Sequence, residues 1–368
     1  MKLRLKISMA VLILSFALLQ GCSSKEQIKT EAPVQTQAEE TNTITVVDCF
    51  DRKVEIQSPV EKIACGYAYT GHVAALLGRG DDIVAVVDGL KRDKVLTQMY
   101  PHIKDLPVPF STGTINIEEL LACDPDVVFL KTDTALNKSV TEKLDNLHIP
   151  YVVIDYFTME EQLETISIMG MVLGEEERAQ KYIDYYNNVI DSTLKITSSI
   201  PEEERVSVYH SVNEAVRTDA AGSFQDDWME ITGAINVSTT DELEISGDKT
   251  YATLEQIYVW DPDIIIANES GVPEYILTND QWASLRAVKN KDVYQIPNGI
   301  SRWGHPGSIE APLAILWTSN LLYPQYFEHI NMKKVTQDYY RDFFNIELSS
   351  DEVTQILNGK DMRELRTN

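Results

Sequence analysis

Basic residues are scarce: 32 Lys and Arg stand against 57 Asp and Glu in 368 residues, a formal net charge of −25. A chain of that sign repels phosphate backbones, and no basic stripe offsets it, so a nucleic-acid partner is excluded. Cysteine is scarce as well, with four in the chain. After Cys22, the spacings of Cys49, Cys65 and Cys123 support neither a disulfide framework nor a zinc site. Cys65 and Cys123 sit in apolar contexts and read as small core residues. Past the first two dozen residues no apolar run approaches the ~20 residues that span a bilayer. The chain also lacks a Gly-x-Ser-x-Gly elbow, a His-Glu-x-x-His pair and a Gly-x-x-x-x-Gly-Lys loop, which argues against an esterase, a zinc protease or an ATPase. What remains is an ordinary globular balance, 43% hydrophobic and 24% charged, at a length that suits two domains.

The N-terminus reads as an address. Lys2, Arg4 and Lys6 precede Ile7–Leu19, an apolar run of 13 residues, short for a membrane span and apt for a signal-peptide core. It ends in Leu19-Gln20-Gly21-Cys22, which resembles a bacterial lipobox; Gln20 departs from the commoner small residue. The resemblance implies lipidation of Cys22 after removal of residues 1–21, and anchoring on the extracytoplasmic face of the cell membrane. Residues 22–43 carry many Glu, Gln, Thr and Ser and no aromatic, so they are expected to form a flexible tether.

The body of the chain repeats itself. Asn116-Ile-Glu-Glu-Leu-Leu-Ala-Cys-Asp-Pro-Asp-Val-Val-Phe-Leu130 and Thr253-Leu-Glu-Gln-Ile-Tyr-Val-Trp-Asp-Pro-Asp-Ile-Ile-Ile-Ala267 share one pattern 137 residues apart. Each opens on an N-cap residue with Glu119 or Gln256 three positions on, the spacing of a capping box. Pro125 and Pro262 then forbid further helix, and the β-branched runs after them suit buried parallel strands. Strand candidates at Lys62–Cys65, Ile83–Val87, Tyr151–Ile154, Val206–Tyr209 and Val293–Ile296 alternate with helical patterns such as His72–Leu77 and Lys138–Asn146. The expected fold is α/β, two Rossmann-like lobes with parallel sheets over 44–158 and 201–368. One long helix within 159–200 joins them, with a break marked by Gly170 and Gly174. Terminal helices within Asp338–Asn358 are assigned to the second lobe.

In this order, over residues 44–325, the segments resemble the substrate-binding lipoproteins of ABC importers, in the helical-backbone group that takes ferric siderophores, haem and cobalamin. The resemblance implies a rigid two-lobed receptor with a cleft between lobes, small closure motions, no catalytic residue and no cofactor. The ATPase would be a separate chain. It also implies docking on the permease through one acidic residue per lobe, which fall at Glu118 and Glu255. A carboxylate in the first helical turn is independently favoured by the helix dipole, although both could be ordinary helix-N-terminal glutamates.

Ligands of open α/β sheets bind beyond the carboxyl ends of the strands. The loops there nominate Tyr67, Tyr69, Thr112, Lys131, His210, Arg217, Arg302, Trp303 and His305. The Arg302-Trp303-Gly304-His305 loop is the strongest: guanidinium and imidazole suit anionic oxygens, and the indole suits an organic face. Its alternative is a structural turn with Trp303 in the core. Tyr67 and Tyr69 are otherwise half-buried tyrosines, His210 a satisfied strand-end histidine, and Arg217 a partner for Glu214. These groups are cationic or neutral, the wrong chemistry for a bare divalent metal. They favour an anionic metal chelate, a ferric siderophore first; haem and cobalamin are alternatives. Molybdate or tungstate would use the cations and leave the aromatics without a task. A signalling receptor would share this architecture.

Overall fold

The computed structural model describes residues 42–246, 249–359 and 362–363. The signal segment, Cys22 and most of the tether lie outside the described residues. The first described element is a hairpin, Asn42–Val47 with Lys53–Ser58, which begins at the end of the expected tether.

The first lobe is built on four parallel strands, β1 (Ile63–Cys65), β2 (Ile83–Ala85), β3 (Val127–Leu130) and β4 (Tyr151–Val153), in the order β2-β1-β3-β4. Helix α1 (Ala68–Leu76) follows β1, and α2 (Ile117–Cys123) leads into β3. The second lobe repeats the plan with β5 (Ser207–Ser211), β6 (Ile235–Asn236), β7 (Ile264–Ala267) and β8 (Val293–Gln295) in the order β6-β5-β7-β8. Every residue of β1, β3 and β4 is buried, as the apolar, β-branched content of a sheet covered on both faces requires.

The 137-residue repeat is structural down to its hydrogen bonds. Helix α2 and its counterpart α5 (Leu254–Trp260) start on Asn116 and Thr253, whose side chains accept from the backbone N–H three residues on. Both end on an aspartate in the left-handed region, Asp124 at φ 47° and Asp261 at φ 38°, before the proline that stops the helix. Asp126 then accepts from the backbone N–H of Glu61 and Lys62 at 2.7 and 2.8 Å, and Asp263 from the N–H and Oγ–H of Ser207 at 3.0 and 2.7 Å. Each aspartate thus fastens the start of the neighbouring strand.

Between the lobes the chain forms α3 (Met159–Leu173) and then the expected long helix, α4 (Glu176–Thr197), with the break where Gly174 caps α3 at φ 68°. Thr158 and Glu161 close a full capping box at the start of α3. The second lobe continues into α6 (Ala311–Leu322), α7 (Met332–Phe344) and α8 (Ser350–Leu357). The terminal segment is not confined to the second lobe. Gln98 of the first lobe donates to Glu352, and Lys94 N–H to the Met362 carbonyl. A single apolar cluster runs through both lobes, from Ile63 and Phe129 through Tyr182 and Tyr186 to Val208, Trp228 and Leu313.

Candidate functional site

A loop of the second lobe, 298–310, connects β8 to α6. Its base is fixed from beneath. The buried Glu310 carboxylate accepts from the N–H of Ile300 and Ser301, from Ser301 Oγ and from the Tyr340 hydroxyl. Burial pushes that carboxyl up from its ordinary value, against these hydrogen bonds. Tyr182 and Tyr339 both donate to the Ile309 carbonyl, and Gln162 donates to that of Ser308. Trp228 Nε1–H donates to the Gly304 carbonyl at 3.0 Å. Residues from the joining helices, the second lobe and the terminal helix therefore hold one loop rigidly.

On this frame Arg302 is 13% exposed and its fork is engaged: Nη1 donates to Asn213 Oδ1 and to Glu269, and Nη2 to His305 Nε2 at 3.0 Å. A guanidinium only donates, so His305 Nε2 accepts and its proton sits on Nδ1, donated to the Pro306 carbonyl. Burial first, then the Arg302 charge, keeps this imidazole well below its ordinary range and hence neutral. Burial also lowers Arg302 to about 10, which leaves it charged at neutral pH. Asn213 and Glu269 follow β5 and β7, at the same carboxyl edge.

From the first lobe, Tyr67 sits between β1 and α1 with Lys131 Nζ 5.5 Å from its ring centre. Gly307 lies against it: a Cβ there would come within 3.3 Å of the Tyr67 hydroxyl, and its φ of 95° is open to glycine. The two lobes meet at this contact. Lys131 and Arg217 are half-buried, and neither makes an ion pair or side-chain hydrogen bond to the described residues. Beside Lys131 a cavity of about 670 Å³ is lined mainly by carboxylates, Asp48, Asp51, Asp155, Glu161 and Glu164, with Tyr156 and Phe157.

Several expected contacts are corrected. Trp303 is fully buried and belongs to the core, so its indole is no ligand platform. Tyr69 is 1% exposed, its hydroxyl 2.8 Å from Thr165 Oγ1. His210 is fully buried, its Nδ1 3.0 Å from both Asp219 oxygens, its ring edge-on to Trp228. In each case the packing of α3, α5-lobe strands and the loop base claims the side chain before a solute could. Thr112 stands exposed at the tip of the Phe110–Ile115 hairpin. Arg217 does not pair with Glu214, whose Oε1 accepts from Tyr251. Tyr67, Lys131, Arg217, Arg302 and His305 remain around the loop. Asn213 and Glu269 join the site from outside the expected set, each two residues past the end of its strand, β5 and β7. Glu118 and Glu255 are exposed in the first turns of α2 and α5, each with an exposed apolar residue three positions on, Leu121 and Tyr258.

Comparison with known proteins agrees with this architecture. The molybdate-binding protein MolA of Haemophilus influenzae is 25% identical over 342 residues, covering 84% of this chain and 93% of its own. The Fe(3+)-citrate-binding protein YfmC of Bacillus subtilis is 21% identical, covering 78% of this chain and 87% of its own. A periplasmic solute binding protein from Veillonella parvula superposes with a TM-score of 0.76 at 26% identity, covering 86% of this chain and 97% of its own. The profile of the periplasmic binding protein family matches residues 63–299. The chain belongs to that family: it is the extracytoplasmic solute-binding component of an ABC importer, carrying a solute in place of a cofactor and catalysing no reaction.

Proposed function

We propose that the cleft takes a small oxyanion of the molybdate or tungstate kind and hands it to the permease. The observation that carries this is the pair of half-buried cations that no carboxylate among the described residues pairs, Lys131 on one lobe, over the Tyr67 ring, and Arg217 on the other, on a chain of net charge −25. A charged group held away from water calls for an opposite charge, and no carboxylate among the described residues supplies it. Arg302, with its charge kept, and the Tyr67 hydroxyl add donors at the same loop. Two of the three aromatics that favoured a large organic chelate, Trp303 and Tyr69, are packed in the core, which supports the smaller ligand. The similarity to MolA points the same way.

A ferric chelate of anionic type is the second reading, favoured by the similarity to YfmC. Titration of tryptophan fluorescence with molybdate, tungstate, sulfate and ferric citrate separates the two. Saturable one-to-one binding of molybdate, weakened about ten-fold or more in Arg217→Gln and Lys131→Gln, is expected, since a charge-assisted hydrogen bond contributes about 1.5–3 kcal/mol. Binding of ferric citrate alone would overturn the first reading in favour of the second. Glu118 and Glu255 are proposed as the permease-docking pair, and lipidated Cys22 as the anchor.

A further inference from the structure

Asp93 is a deeply buried carboxylate, its side chain 3% exposed, that none of the contacts above employs. It stands at the start of the helix Lys94–Met99 in the first lobe. His72 Nε2, from α1, approaches one of its oxygens at 2.8 Å, and Arg363 Nε the other at 3.3 Å. Arg363 comes from the far end of the chain: its backbone bridges that of Asp93 in antiparallel fashion, and Nη2 donates to the Gly89 carbonyl at 3.3 Å. The Cβ that Gly89 lacks would lie 3.3 Å from this Nη2 and 3.8 Å from Ala68 Cβ. Ala68 is the residue after Tyr67, so the C-terminal guanidinium ends beside the first-lobe wall of the cleft.

Both members of the pair reach the loop electrostatically. Asp93 supports the charge of Arg302, whereas Arg363 opposes it and also disfavours a proton on His305. A lone buried carboxylate at this place would repel an anion held by Arg302 through a medium that screens it weakly.

We propose that Arg363 is a specificity-determining residue of the solute cleft, cancelling the buried Asp93 carboxylate so that an anion can settle beside Arg302. This rests on the anion reading of the cleft. It makes Arg363 an electrostatic counterpart to Asp93, with the mechanical tie between chain end and first lobe as a separate matter.

The test uses the full chain with molybdate as probe and four proteins: unaltered, Arg363→Gln, Asp93→Asn and the double variant. Arg363→Gln is expected to weaken binding on the order of five-fold, and Asp93→Asn to tighten it by a similar factor, at low ionic strength. The double variant returns close to the unaltered affinity, and all differences shrink as salt is added. A purely mechanical role gives the opposite: all three variants weaken together, or none changes affinity while the melting temperature falls. Either result overturns the proposal. An NMR pH titration of His305 without any ligand provides the second readout, expected to move up in Arg363→Gln. If the unaltered chain ignores molybdate yet His305 moves up in Arg363→Gln, the anion reading fails and the electrostatic role of Arg363 stands. An unmoved His305 overturns that role.

Discussion

Trp303 and His305 stand two residues apart in one loop, and physics sends them in opposite directions. The indole is enclosed by the core that runs through both lobes, while the imidazole stays at the cleft, neutral beside Arg302. Trp303→Ala should therefore act as a cavity-forming core substitution, with a loss of about 3–5 kcal/mol in denaturant unfolding. His305 gives a pH signature. Its folded value lies well below the ordinary 6.5, so as pH falls below about 6.5 the unfolded chain takes up a proton that the folded chain refuses. This contribution to stability is complete above pH 6.5 and is lost on acidification, by about 1.4 kcal/mol per pH unit until the folded group titrates. His305→Gln should remove that contribution to the slope of unfolding free energy against pH as the pH falls below about 6.5. Neither fate could be read from residue types alone. Gly-Ile-Ser-Arg-Trp-Gly-His-Pro-Gly is equally good as a ligand loop or a packed turn, and the choice is made by Glu310 at the end of the loop together with Trp228 and Tyr340, which lie far away in sequence.

At the level of elements the repeat was legible because its signals are local. An N-cap, a proline and a β-branched run act within about 15 residues, and the folded α2–β3 and α5–β7 units follow them. The strand fasteners Asp126 and Asp263 are the part of the repeat with a direct energetic consequence. Asp126→Ala and Asp263→Ala each strand two donors and should cost about 1–3 kcal/mol, with no change in solute affinity for the protein that remains folded. Calorimetric unfolding of the two variants checks this. The edge strand Ile235–Asn236 escaped notice because two residues carry no periodicity. The break at Gly174 had its glycine in plain sight. That the chain would turn there into two packed helices depends on Gly170, where a Cβ would come within 2.7 Å of the Ala179 Cβ. Close packing across the turn, a tertiary fact, demanded it.

Taken whole, the molecule is two copies of one plan around a shared apolar core, tied further by terminal helices that touch both lobes. The lobes carry their exposed carboxylates, Glu118 and Glu255, in equivalent places. If those sites dock the permease, Glu118→Arg with Glu255→Arg should abolish uptake in cells while leaving solute affinity within about two-fold; equal loss of both would contradict the docking role. The two-lobed plan could be inferred from alternation and repeats. Asn213 and Glu269 could have been nominated by the carboxyl-edge rule, whereas Arg363, 61 positions beyond Arg302, had no local signal to announce it.

The central claim is that unpaired cations from both lobes await a small oxyanion. It is tested most directly by isothermal titration of the full chain with molybdate at low and moderate salt, with ferric citrate in parallel. The expected result is saturable molybdate binding at one site that weakens with salt and is lost in the Lys131→Gln, Arg217→Gln double variant. Molybdate binding that survives in that double variant, or binding of ferric citrate with none of molybdate, would contradict the account.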